Sequence, residues 1–110
     1  MNLEETARTY FSAFENKDID ALAEMFHDSV SLKDWNICAS GKESVLEANT
    51  NIFESVGGLS VRIQNLYVCG LTAIAELLIF VDDADALPVV DIIKFNTVEK
   101  IESIVAYRGN

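Results

Sequence analysis

Between residues 3 and 16 the apolar side chains Leu3, Ala7, Tyr10, Phe11 and Phe14 recur at helical spacing, which predicts a first amphipathic helix. The polar stretch ENKD interrupts the pattern. Asp18 is then placed to cap a short second helix with Ile19, Leu22, Ala23 and Phe26 along one face. Residues 29–35 read as a short strand. Ser40-Gly-Lys-Glu43 has the spacing of a capping box, in which the serine and the glutamate satisfy each other's free amides. It opens a third helix that buries Val45, Leu46, Ile52, Phe53 and Val56 until Gly57-Gly58 ends it. Beyond that point the period changes. Residues 59–69, 72–81, 89–95 and 100–107 are rich in Val, Ile, Leu and aromatics, with DDADALP and NTVEK as hairpin connections.

Three helices followed by a run of antiparallel strands predict an α+β fold, one domain over residues 1–110, with the helices on one face of a curved sheet. The strand at 72–81 is apolar on both faces: Ile74, Ala75, Leu77, Leu78, Ile79 and Phe80. Helices cover only one face of a sheet, so the other is expected to meet a second copy, giving a homodimer packed through the sheet.

Composition narrows the function. Half of the 110 residues are apolar and 24% are charged, as in a globular chain, and no run of 18 apolar residues occurs. Eighteen acidic against eight basic residues give a net charge of −10. That argues against nucleic acid, whose affinity rests on Lys and Arg neutralising phosphates, and against anionic membrane surfaces. Small molecules and other proteins remain as partners. Cys38 and Cys69 are too few and too isolated for a disulfide framework or a metal site. MNLEETARTY has no cationic start followed by an apolar stretch, so a cytoplasmic protein is expected. No glycine-rich phosphate loop, nucleophile elbow or paired-carboxylate metal motif is present, so a site without cofactor or metal is expected.

One residue stands against its own segment. Asp91 sits in VVDIIKF, where Val89, Ile93 and Phe95 share its face. A carboxylate there is costly to bury unless it is paired or keeps its proton. The alternatives are a solvated acid at a rim or interface, and a pocket-facing acid that serves as a neutral hydrogen-bond donor.

The segments FENKDIDALAEMF, SGKESV and DIIKFN…KIESIVAYR, in that order and spacing, make the chain resemble the nuclear-transport-factor-2-like (SnoaL-like) superfamily of cone-shaped α+β domains, nearest its ketosteroid isomerase group. The resemblance implies a pocket for a small apolar or carbonyl-bearing molecule, and a reaction that moves a proton next to the carbonyl. It implies a base at Asp34, and a pair at Tyr10 and Asp91 that holds the enolate oxygen. Family members often surround that tyrosine with others, where this chain has Phe26 and Asn49. Trp35 follows the candidate base in place of a common proline, and Arg108 stands on the last strand, where it would favour an acidic substrate. Phe14, Phe53 and Phe95 complete the expected lining.

Each residue also has a plainer reading. Tyr10 lies on the apolar stripe of the first helix and fits a core tyrosine. Asp34, in KDWN, fits a turn. Asn49 fits a polar gap in the core, Trp35 a core or interface residue, and Arg108 a solvated end. His27, the only histidine, fits a helix end, or a partner for Asp34 in a dehydratase or cyclase. The alternative to catalysis is a domain that binds an apolar ligand or dimerises.

Overall fold

The computed structural model describes residues 2–109; Met1 and Asn110, the ends of the expected domain, lie outside them. Helix α1 (Leu3–Glu15) is capped by Asn2, whose side chain accepts from the Glu5 amide, and it buries Leu3, Ala7, Tyr10, Phe11 and Ala13. It ends in a Schellman arrangement: the Lys17 amide donates to the Phe14 carbonyl and the Asp18 amide to that of Ala13. Lys17 takes the left-handed conformation this requires, with φ 56°. Its ammonium then donates to the carbonyls of Val56, at 2.6 Å, and Gly57, at 3.1 Å. Asp18 caps α2 (Ile19–Met25), accepting from the Ala21 amide as expected, and Leu22 is fully buried.

Phe26 does not belong to that helix. It starts strand β1 (Phe26–Lys33), three residues before the expected strand. Its ring is buried against Tyr10, with centroids 6.4 Å apart. Strand β2 (Cys38–Ser40) was not anticipated; it pairs antiparallel with β1, setting Ser40 opposite Ser31. This pairing removes the capping box. Ser40 belongs to the strand, Gly41 takes the N-cap of α3 (Lys42–Ser55) with φ 91°, and no side chain caps that helix. The remaining strands are β3 (Leu59–Cys69), β4 (Thr72–Val81), β5 (Leu87–Phe95) and β6 (Ile101–Arg108).

The sheet order is β2-β1-β6-β5-β4-β3. Every neighbouring pair is antiparallel except β1 and β6, which run parallel. The sheet is therefore mixed and the expectation of antiparallel strands throughout is corrected: the chain returns from the far edge to lay its last strand beside its first. The sheet is curved and does not close on itself. One face carries Ala73, Ala75, Leu77, Ile93, Ile101 and Ile104 into a core shared with α1, Leu22 of α2 and Val45 and Phe53 of α3. Burying this apolar surface supplies the main driving force for folding.

The opposite face has no helix over it. There Tyr67, Ile74, Ile92 and Val105 form an unbroken cross-strand row. Tyr67 and Tyr107 are 55% and 60% exposed, far above what their ring area favours in water.

Candidate functional site

The core does not fill the space under the sheet. At the phenylalanine-rich end, Phe26, Phe95, Ile93 and Ile101 pack solidly. At the other end, where β4 and β6 finish and β3 and β5 begin, a cavity of about 230 Å³ remains. Its walls are apolar, including Phe11, Phe14, Ile52, Leu77, Ile79, Val89 and Ile104. Five polar side chains reach it: Tyr10, Asp34, Asn36, Asn49 and Asp91.

Strand alternation explains Asp91. On β5, Val89, Asp91, Ile93 and Phe95 are the buried parity, so the alternation that places three hydrophobes inside places the acid with them. It pairs across the backbone with Ala75 and Ala106, both small, which leaves open space before its carboxyl. Burial, and then the nearby charge of Asp34, push its pKa up to about 7. Tyr10 comes from the middle of α1, buried to 4% exposure between Phe11, Phe14 and Phe26. Burial first, and the neighbouring Asp91 second, raise its pKa well above the ordinary phenol value, so the hydroxyl keeps its proton. Neither the Tyr10 hydroxyl nor the Asp91 carboxyl has a hydrogen-bond partner among the described residues. No side-chain nitrogen or oxygen among them is fully buried without a partner. The unpaired oxygens of Tyr10 and Asp91 therefore open on the cavity.

Asp34 sits in the β1–β2 turn. Its Oδ1 accepts from the amides of Asn36, at 2.7 Å, and Ile37, at 2.6 Å, and its own amide donates to the Ile37 carbonyl. The turn reading is thus correct as local structure, and the same turn delivers the carboxyl to the cavity wall. Oδ2 has no hydrogen-bond partner among the described residues.

The structure brings together Tyr10, Phe14, Asp34, Trp35, Asn49 and Asp91 on this one lining. Trp35 stands at the mouth, 40% exposed. Phe26, Phe53 and Phe95 do not line the cavity: Phe26 and Phe95 pack the closed end, and Phe53 stacks edge-on against Phe14 at 5.3 Å. Arg108 shares the parity of Ile104 and Ala106 but is exposed beyond the lining. His27 lies in β1, away from the cavity, its Nδ1 accepting from the Ser29 amide at 3.0 Å. Neither the acidic-substrate expectation nor an Asp34–His27 pair is supported by these positions. The residues missed from sequence are Asn36, in the turn after Asp34, and most of the apolar lining, Leu59, Val61, Ile79, Val81 and Leu87 among them. Alternation marks the apolar ones as inward but does not tell the open end of the sheet from the packed one. No three His, Cys, Asp or Glu side chains among the described residues gather as a metal site.

The family model of the SnoaL-like domain matches residues 7–104. The chain belongs to the SnoaL-like family. Three solved structures place this SnoaL-like domain among its relatives. A protein from Kribbella flavida, named provisionally as a ketosteroid isomerase, is 16% identical with a TM-score of 0.84, the match covering 96% of this chain and 76% of that one. The epoxide hydrolase/cyclase-like enzyme SalBIII of salinomycin pyran formation is 18% identical with a TM-score of 0.83, covering 96% and 89%. A protein with a ketosteroid isomerase-like fold from Catenulispora acidiphila, solved with trimethylamine, is 18% identical with a TM-score of 0.82, covering 94% and 84%. At these identities the likeness is one of fold. No curated protein matches the chain.

Proposed function

We propose that this SnoaL-like domain is a cofactor-independent isomerase of the ketosteroid isomerase kind, moving a proton between carbons next to a carbonyl. The observation that carries the reading is the unpaired phenol of Tyr10 and the unpaired carboxyl of Asp91 opening on one apolar cavity with Asp34 on its wall. Protonated Asp91 and Tyr10 both donate, so together they stabilise the negative oxygen of an enolate between largely apolar walls. Asp34 takes the proton from the α-carbon and returns it further along the conjugated system. The free Oδ2 supports that role, while its Oδ1 bonds hold the carboxyl in place.

Asparagine at position 34 keeps an Oδ1 for both turn amides and loses only the basic oxygen. Asp34→Asn is therefore expected to abolish isomerisation of a conjugated ketone, by at least about a hundredfold, while still binding a planar enolate analogue. Turnover within about tenfold of the parent would contradict the assignment.

A second reading is a non-catalytic pocket for an apolar metabolite. It is favoured by the engagement of Asp34 in its turn, which gives that residue a purpose without chemistry. It expects ligand binding with no rate affected by Asp34→Asn, Tyr10→Phe or Asp91→Asn. On either reading we place the protein in a reducing compartment, the cytoplasm, as its two exposed free thiols suggest. We also place a second copy against the uncovered sheet face.

A further inference from the structure

Asn49 is a polar side chain in a place that the proton-transfer reading leaves without a task. It is 1% exposed, on the inward side of α3, and it lines the cavity. Its Nδ2 donates to the Val45 carbonyl one turn back, at 2.9 Å. That carbonyl only accepts, so the amide must turn its NH₂ toward the helix and its Oδ1 away. Oδ1 has no partner among the described residues. Because no polar side-chain atom there is both fully buried and unpartnered, Oδ1 reaches the cavity surface.

An acceptor fixed in an apolar wall discriminates strongly. A ligand that brings a donor satisfies it, and one that does not leaves it dehydrated and unpaired. The charge of the lining adds a second condition. Asp34 and Asp91 line the cavity, no Lys, Arg or His among the described residues does, and the chain as a whole carries −10. An anionic carboxylate group meets the charge of Asp34, and that of Asp91 once it ionises, with no cationic side chain on the lining to offset it. The size sets a third: about 230 Å³ is below the ~300–1,000 Å³ common for drug-sized ligands.

We propose that Asn49 is a specificity-determining residue, its Oδ1 receiving a hydroxyl or N–H of a small uncharged carbonyl substrate. This rests on the proton-transfer reading, with the carbonyl oxygen at Tyr10 and Asp91. The substrate class is then a neutral, mono- or bicyclic conjugated ketone that carries a second, hydrogen-donating group, rather than a keto acid or a bare hydrocarbon ketone.

Fluorescent naphthols test this at a pH where they are uncharged. The probes are 2-naphthol, the 1,6-, 2,6- and 2,7-dihydroxynaphthalenes, the mono-methyl ether of each diol, and 2-naphthoate, titrated into the parent and Asn49→Leu. In the parent, at least one diol is expected to bind about fivefold more tightly than 2-naphthol. Its methyl ether is expected to lose that gain, and 2-naphthoate to bind at least about tenfold more weakly. The diol-to-naphthol ratio is expected to fall to near one in Asn49→Leu. The proposal is overturned if no diol gains, if the ethers match the diols, if 2-naphthoate binds as well as 2-naphthol, or if the gain survives in Asn49→Leu. Should that variant not fold, the diol and ether comparison in the parent decides alone. Naphthol binding that ignores Tyr10→Phe and Asp91→Asn removes the oxyanion reading, and this proposal with it; the outcomes above remove this proposal only.

Discussion

Asp91 shows how one buried side chain links stability to pH. Its pKa is ordinarily 3.8 and rises to about 7 in the fold. The folded state therefore holds a proton that the unfolded chain releases between those values, so stability falls as pH rises from about 4 to about 7. The difference is on the order of a few kcal/mol. Asp91→Asn, which stays neutral, is expected to flatten that dependence and to be the more stable form at pH 8, with urea unfolding at pH 4.5 and 8 as the check. Equal slopes for the two proteins would mean that the carboxyl titrates normally. On the proposed reading, the fold keeps a destabilising acid where a neutral donor is useful. This residue was legible in the sequence because an acid between Val90 and Ile92 breaks its own pattern. Tyr10 was singled out only by the family resemblance, since a phenol on an apolar helix stripe looks the same whether or not its hydroxyl meets a cavity.

At the scale of elements, local signals read well and distant pairings did not. The helix periodicities and the Asp18 cap were visible because they depend on neighbours three and four residues away. The parallel pairing of β1 with β6 joins Phe26 to Ile101 across most of the chain, and nothing local encodes it. The same is true of β2, three residues that become a strand only because β1 offers its edge. That pairing overrode the Ser40 capping signal and left Gly41 at the start of α3. Its φ of 91° and ψ of 147° belong to a region that side-chain-bearing residues enter at a cost of roughly 1–3 kcal/mol. The space around it is open, so the cost of Gly41→Ala is conformational alone. A loss of about 1–3 kcal/mol on chemical denaturation is expected; a neutral substitution would show that the turn relaxes freely.

For the whole molecule, the face that the helices leave bare is the main unmet demand. The row Tyr67–Ile74–Ile92–Val105 crosses four strands, and Leu78, Val90 and Tyr107 extend it. The sequence showed this much, since the strand at 72–81 is apolar on both sides, although it did not show how the sheet is ordered. A homodimer through this face is expected by multi-angle light scattering at micromolar concentration. Ile92→Lys, placing a like charge on both copies, is expected to shift it to monomer with the cavity intact. A parent protein that is monomeric at that concentration would contradict the pairing. The sheet also explains why the cavity lies at one end. Phe26 and Phe95 pack the core beside the β1–β6 pairing, and the cavity lies between the other end of β3 to β6 and the helices α1 and α3.

The central claim is that Tyr10 and protonated Asp91 form one oxyanion site. Its most direct test is fluorescence titration of 2-naphthol from pH 5 to 9 with the parent, Tyr10→Phe and Asp91→Asn. The account predicts tight binding by the parent that weakens as pH passes about 7 and Asp91 loses its proton. It predicts at least about fivefold weaker binding by Tyr10→Phe, and no such pH step in Asp91→Asn. Binding that is flat across this range and indifferent to both substitutions would contradict it.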